Sequence, residues 1–260
     1  MYLENPKKFG MLVEQAHQVA LNVLRPISRK YDKAEHAYPK ELDMLASLLD
    51  GMNEGAPGSA GATSATGGSS NSNAGEVKNG SNMSTALGIM EMCWGDVGLL
   101  LAMPRQGLGN AAIAAVANDE QLERFKGTWA AMAITEPNCG SDSAAIRTTA
   151  VKDGDDYILN GEKIYVTSGA RADSVVVWAT LDKNIGRAAI KSFVVKHGTP
   201  GMEIARLEKK LGIKASDTAA INFTDCRVPA ANLLGSPEID ALLIVMECAI
   251  PMSKIDIKNC

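Results

Sequence analysis

The sequence predicts an α+β protein, with an all-helical amino-terminal domain followed by an antiparallel β-barrel or sandwich domain. Three observations lead there. Apolar residues recur at three- and four-residue spacing through the first half of the chain. From about Thr128 the pattern changes to short β-branched or aromatic runs separated by Gly, Asn, Asp and Pro. Helices come first and strands second, the order of segregated α and β parts rather than of alternating βαβ units.

The helical domain is expected over residues 1–127. Val13, Ala16, Ala20, Val23 and Leu24 form one helical stripe, and Leu42, Leu45, Leu48 and Leu49 form a second. Pro26 and Pro39 punctuate this region, which predicts two or three helices rather than one. Residues 51–82 are mostly Gly, Ser, Ala and Asn and hold almost no large apolar side chain. Such a stretch buries too little surface to offset its ordering entropy, so it is expected to be a flexible excursion. It is either a linker or a loop inserted within one domain, and the similar helical texture on its two sides favours the loop. Helical spacing resumes over 83–101 and continues after Pro104 through 107–118 and 119–125, with Asp119 as a candidate cap.

The β domain is expected over residues 128–238. Val151-Lys152 and Tyr157-Ile158-Leu159 flank the turn signal Asp153-Gly154-Asp155, and a second turn signal, Asn160-Gly161, leads into Lys163-Ile164-Tyr165-Val166-Thr167. Further strands are expected at 175–179, 193–195 and 220–224, with Gly198-Thr199-Pro200-Gly201 as a turn. Residues 239–260 form a divergent tail.

Composition narrows the function classes. The chain has 260 residues, 46% hydrophobic and 22% charged, with a net charge of −4 and a pI near 5.5. No Lys/Arg run exceeds two residues, so nucleic-acid binding has no electrostatic footing at the level of the whole chain. The five cysteines are widely spaced and form no CxxC pair, which argues against a zinc site or a disulfide framework and for a reducing compartment. No secretory signal is visible, and apolar runs such as 99–103 and 241–246 are too short to span a bilayer. A cytoplasmic protein without a membrane span is expected.

Several chemical signatures are absent or weak. Gly107-Leu108-Gly109-Asn110-Ala111-Ala112 fits a loose G-x-G-x-x-A, but Pro104-Arg105-Gln106 precedes it where a dinucleotide fold needs a strand. A tight helix–helix junction is the better account. His17, His36 and His197 lie far apart with no ligand-spaced partners, so no metal site is expected. Neither a phosphate loop of the Walker type nor a G-x-S-x-G elbow occurs.

The informative segment is Ala131-Met132-Ala133-Ile134-Thr135-Glu136-Pro137-Asn138-Cys139-Gly140-Ser141-Asp142-Ser143-Ala144-Ala145. An apolar strand-like run ends in Thr-Glu-Pro and passes into a polar turn. Backbone N–H groups there, with the hydroxyls of Thr135 and Ser141, are suited to meet carbonyls or phosphates at close approach. A capped loop joining helices to a sheet is the alternative on these residues alone.

Residues 133–145 resemble the first signature of the acyl-CoA dehydrogenase family, with Cys139 where that signature usually has Gly, Ala, Ser or Asn. The segment 156–169, which contains Asn160-Gly161-Glu162-Lys163-Ile164-Tyr165-Val166-Thr167, is similar to the family's flavin-side hairpin. A third match runs through Leu211-Gly212-Ile213-Lys214-Ala215-Ser216-Asp217-Thr218, then Phe223, Val228-Pro229 and Asn232-Leu233-Leu234-Gly235. The resemblance covers roughly residues 1–238.

The resemblance implies FAD as cofactor and α,β-desaturation of a fatty-acyl-CoA thioester, as in fatty-acid β-oxidation. It places Met132, Ala133, Ile134, Thr135, Gly140 and Ser141 along the isoalloxazine ring, with Thr135 at the pyrimidine edge and Ser141 also at the thioester substrate. Tyr165, with Val166 and Thr167, would stand against the ring, Tyr165 where the family often has Trp and Thr167 near the reactive nitrogen. Donors at the pyrimidine edge stabilise the negative charge that arrives with hydride. Glu136 is read as ordering the loop. An electron-transfer flavoprotein as acceptor and a homo- or hetero-oligomeric assembly follow from the family.

The family fold continues into a carboxy-terminal four-helix bundle that carries the catalytic glutamate. Residues 239–260 do not resemble its first helix, so the chain is expected to be truncated before that bundle, with no catalytic residue of its own. Glu247 is a weak candidate base, and Pro251 would break a helix continued past it. The alternative function is a non-catalytic flavin- or acyl-CoA-binding subunit or a truncated pseudo-enzyme, and a lipid-associated scaffold is a third.

Overall fold

The structure, a computed structural model, describes residues 9–54, 81–105 and 107–242. Most of the Gly/Ser/Asn-rich excursion, residues 55–80, and most of the tail, including Glu247 and Pro251, lie outside them. Of the residues assigned by composition to the excursion, 51–54 complete helix α3 (Glu41–Glu54) and 81–82 open helix α4 (Ser81–Leu101). The chain divides into two compact units, Met1–Gln106 with Lys209–Asp217, and Gly107–Glu208 with Thr218–Cys260.

The first unit is helical. Helix α1 (Gly10–Val19) passes through a π-helical turn (Ala20–Leu24) into α2 (Arg25–Lys33), so Pro26 does not end the helix. The wide turn just before it loosens the hydrogen-bond ladder where proline cannot donate. In α4, Asp96 leaves helical geometry at φ −173° and ψ 117°, and its carboxylate recaps the chain by accepting from the Leu99 N–H at 2.9 Å. Leu24, Tyr31, Leu42, Leu45, Ala46, Leu99, Ala102, Met103 and Ala215 form the core. Gly95 crosses Ala20 so closely that a Cβ on it would stand 2.9 Å from the Ala20 Cβ.

The second unit is a curled, seven-stranded mixed sheet covered by α5 (Leu108–Val116) and α6 (Asp119–Arg124). Its strands are β1 (Ala130–Ala133), β2 (Thr149–Asp153), β3 (Asp156–Thr167), β4 (Ser174–Thr180), β5 (Ile190–Lys196), β6 (Met202–Leu207) and β7 (Thr218–Pro229). They run in the order β1-β4-β2-β3-β7-β6, with β5 on β4. Most pairs are antiparallel as expected, but β4 meets β1 and β2 in parallel. All seven β4 residues are buried, which is the pattern of a strand covered on both faces.

Local details revise three expectations. Asn118, rather than Asp119, caps α6 through a reciprocal box with Gln121. Gly107 is the N-cap of α5, and a Cβ on Gly109 would overlap the carbonyl oxygens of Ala130 and Ala131. The glycine spacing therefore serves a helix lying on a strand, not a helix–helix junction. Asn160-Gly161 is not a turn. Strand β3 runs straight through it with a register shift against β7, and the Asn160 side chain donates to Asp225 Oδ1 at 3.1 Å while accepting from the Asp225 N–H at 2.8 Å. A Cβ on Gly161 would overlap the Thr148 hydroxyl.

Candidate functional site

The residues singled out by sequence fall on two segments of the second unit, the end of β1 with its following loop and the end of β3. One backbone bond joins them, from the Ile164 N–H to the Thr135 carbonyl at 2.9 Å. Strand β1 pairs with β4 along one side. Its first amides fix which groups face away. The Trp129 carbonyl accepts from Ser174 on the β4 side at 3.1 Å, and the next N–H, of Ala130, donates to Asn110 Oδ1 at 3.0 Å. Alternation along the strand then turns the Met132 N–H away from β4.

A buried carboxylate organises the loop. Glu136 is 6% exposed. Its Oε1 accepts from Lys163 Nζ at 2.8 Å, the Thr148 N–H at 2.9 Å and the Thr148 hydroxyl at 2.6 Å. Its Oε2 accepts from the Arg147 N–H at 2.6 Å. Lys163, wholly buried, also donates to the Ile134 carbonyl at 3.0 Å. Burial alone would raise the Glu136 pKa, but the Lys163 charge and the bonds from Lys163, Thr148 and Arg147 outweigh it and hold the carboxyl below its ordinary value. Burial pushes the Lys163 ammonium down, opposed by Glu136. Burial and the neighbouring carboxylate push the Cys139 thiol up, which makes it a small packed residue rather than a nucleophile.

The end of β3 carries a bulge. Lys163 pairs with Ile221 and Val166 with Ala219, so β3 holds one residue more than β7 between them. Lys163 and Val166 both point into the interior, and Tyr165 between them takes φ +57° with 63% of its surface exposed. A left-handed aromatic residue is uncommon and marks a strained position.

The candidate residues therefore separate into two groups. Ala133 and Val166 are buried and offer only backbone, while Met132 and Ile134 pack half-buried against the core. Thr135 is half-buried, and Gly140, Ser141, Tyr165 and Thr167 are exposed. Backbone donors, hydroxyls and one open aromatic face beside them fit a flat ring with a polar edge. Two concavities of this unit lie elsewhere, one lined in part by Gln121, Arg124 and Tyr157, the other by Asp156, Pro200 and Arg227. Among the described residues no group of His, Cys, Asp and Glu is placed to hold a metal, and no helix is long and apolar enough to cross a membrane.

Lys163 escaped the sequence reading. Its signal was the alternation Tyr157, Leu159, Gly161, Lys163, which puts a lysine on the inward face of a strand.

Known proteins share this sequence pattern and fold. Residues 131–226 match the family model for the acyl-CoA dehydrogenase middle domain. The chain is 46% identical over 111 residues to an acryloyl-CoA reductase (NADH) of Anaerotignum propionicum, covering 42% of this chain and 28% of that protein. It is 38% identical over 156 residues to an acyl-CoA dehydrogenase of Bacillus subtilis, covering 58% of this chain and 41% of that protein. The butyryl-CoA dehydrogenase structure from Megasphaera elsdenii superposes with a TM-score of 0.73 at 27% identity, over 96% of this chain and 64% of that one. The chain thus spans less than half the length of these curated relatives. Over residues 131–226 the chain carries the acyl-CoA dehydrogenase middle domain, and its fold is similar to that of the acyl-CoA dehydrogenases.

Proposed function

We propose that this chain supplies the flavin-facing half of a fatty-acyl-CoA dehydrogenase site, with FAD as cofactor and an acyl thioester as substrate. The observation that carries the reading is the Thr135–Ile164 backbone bond, which sets the polar loop beside the exposed Tyr165 bulge. Bound FAD would accept the hydride lost from the β carbon of the acyl chain. The residues of this chain hold and polarise the ring. The outward Met132 amide and the Thr135 side chain offer donors to its pyrimidine edge, where negative charge gathers, and such donors count for more in a site shielded from water. Tyr165 presents an aromatic face, and Thr167 sits two residues further along the same strand. Ser141, exposed on the loop, is assigned to the substrate thioester as well as to the ring.

Glu136 is not assigned as the base. Its two oxygens already meet four N–H and O–H donors and the Cys139 thiol, and its pKa is held low, which is the opposite of what proton abstraction near neutral pH needs. The whole protein's activity, an electron-transfer flavoprotein as acceptor, an oligomeric assembly and a cytoplasmic setting belong to the same proposal.

The test is a titration of the purified chain with FAD, followed by flavin fluorescence and the visible spectrum. Binding with a protein-perturbed flavin spectrum is expected, and Thr135→Val and Tyr165→Ala should each weaken it by tenfold or more. Absence of binding, or binding indifferent to both substitutions, would refute the reading.

A further inference from the structure

The loop between β1 and β2 is an excursion whose two ends meet at one side chain. Pro137, Asn138, Gly140, Ser141 and Asp142 are exposed along it. Glu136 at its start binds the Arg147 and Thr148 amides at its end, and it reaches Lys163 on β3 as well. Thr148 passes the connection on, because its carbonyl accepts from the Thr180 N–H at 2.8 Å and so ties the loop end to β4. Both ends of the loop and strand β3 thus meet at one carboxylate, and the loop and β3 carry the exposed residues of the site.

We propose that Glu136 is a positioning residue. Its clamp on Arg147, Thr148 and Lys163 sets the loop lip, residues 137–146, relative to the Tyr165 bulge, and so fixes the gap into which the ring enters. This rests on the flavin-binding reading only for the purpose of the gap. The clamp itself is a statement about this chain alone. Lys163 shares the task, since it meets Glu136 and the Ile134 carbonyl from a position two residues before Tyr165.

The experiment measures amide hydrogen exchange by mass spectrometry on the full chain, together with FAD affinity and the visible spectrum of bound flavin. Glu136→Gln should speed exchange across 137–148 by tenfold or more, at exchange times short enough that β4 and β5, which open only with the whole fold, stay protected. It should also weaken FAD binding by tenfold or more and alter the flavin absorption band. Wild-type exchange in the lip would overturn the clamp. Faster lip exchange with unaltered FAD affinity and spectrum would overturn positioning. If Glu136→Gln does not fold, Thr148→Val removes only the hydroxyl donor at 2.6 Å and should speed exchange in the same region severalfold. No change there would equally overturn the clamp. If the wild-type chain takes up no FAD, the flavin reading fails, and the exchange data still decide the clamp.

Discussion

Lys163 reaches back 27 positions to place its ammonium 2.8 Å from the Glu136 carboxylate, and the two side chains are 0% and 6% exposed. Breaking a buried pair from one side leaves a charge without its partner, which costs about 3–5 kcal/mol. The two sides of this pair are not equivalent. Without Lys163, the carboxylate keeps the Arg147 amide and both Thr148 donors. Without the Glu136 charge, the ammonium is left with the Ile134 carbonyl and a neutral amide. Glu136→Gln should therefore destabilise by about 3–5 kcal/mol and Lys163→Met by nearer 2 kcal/mol, the worth of about one charged hydrogen bond. Urea unfolding of both variants measures this, and a reversed order would contradict it.

The same carboxylate predicts how stability responds to acid. The folded-state pKa of Glu136 lies below the ordinary 4.5, so the unfolded chain binds more protons in the acid range. Its contribution is complete above the unfolded pKa and is lost as pH falls through the lower folded value. Glu41 adds a second, more exposed case. Hydrogen bonds from Lys30 and Tyr31 lower it to about 2, so its contribution disappears between about 4.5 and 2. Unfolding measured across this range should show a falling acid limb. Glu136→Gln and Glu41→Gln should each flatten it, and salt at about 0.5 M should shrink only the Glu41 part, because screening acts on exposed pairs.

Much of the fold was legible because local chemistry and tertiary structure agree. Asp153-Gly154-Asp155 reads as a turn, and Gly154 takes φ +60° between β2 and β3. The ordered motifs between 133 and 224 pointed to the acyl-CoA dehydrogenase middle domain, which the match over residues 131–226 supports. Asn160-Gly161 misled because turns and strand irregularities draw on the same residues, and only the partner strand tells them apart. Strand β6 went unseen since Glu203 and Arg206 interrupt its apolar residues at a sheet edge. At the site, the polar loop was visible in its composition, but the bulge was not. It exists because Lys163 and Val166, three residues apart, both turn inward, and period-two alternation cannot announce that.

Gly109 offers a test in which two effects oppose each other. In an exposed helix, Gly→Ala stabilises by about 1 kcal/mol through propensity. On α5 the new methyl would collide with the Ala130 and Ala131 carbonyls, and backbone of a strand yields little. Gly109→Ala should therefore destabilise, by about 1–3 kcal/mol, with a lower thermal midpoint and disturbed near-UV signals from Trp129 beside β1. A gain in stability would mean that α5 does not lie on β1 as described.

Tyr165 separates function from stability. A non-glycine residue held left-handed costs about 1–2 kcal/mol, and Tyr165 sits at φ +57° with 63% of its surface exposed. Packing accounts for little at such exposure, so the strain is tolerated for another reason. Tyr165→Gly relieves it and gives back about 0.5–1 kcal/mol in chain entropy. The net expectation is a stability between unchanged and about 1.5 kcal/mol higher. Loss of the aromatic face should at the same time weaken FAD binding by tenfold or more, as when a base–aromatic stack worth about 1–3 kcal/mol is removed. Thermal unfolding without FAD and a flavin titration together resolve the two roles. A destabilised Tyr165→Gly variant would instead assign the ring to sheet packing, whereas a stable variant that has lost flavin affinity would show that the bulge exists to present it.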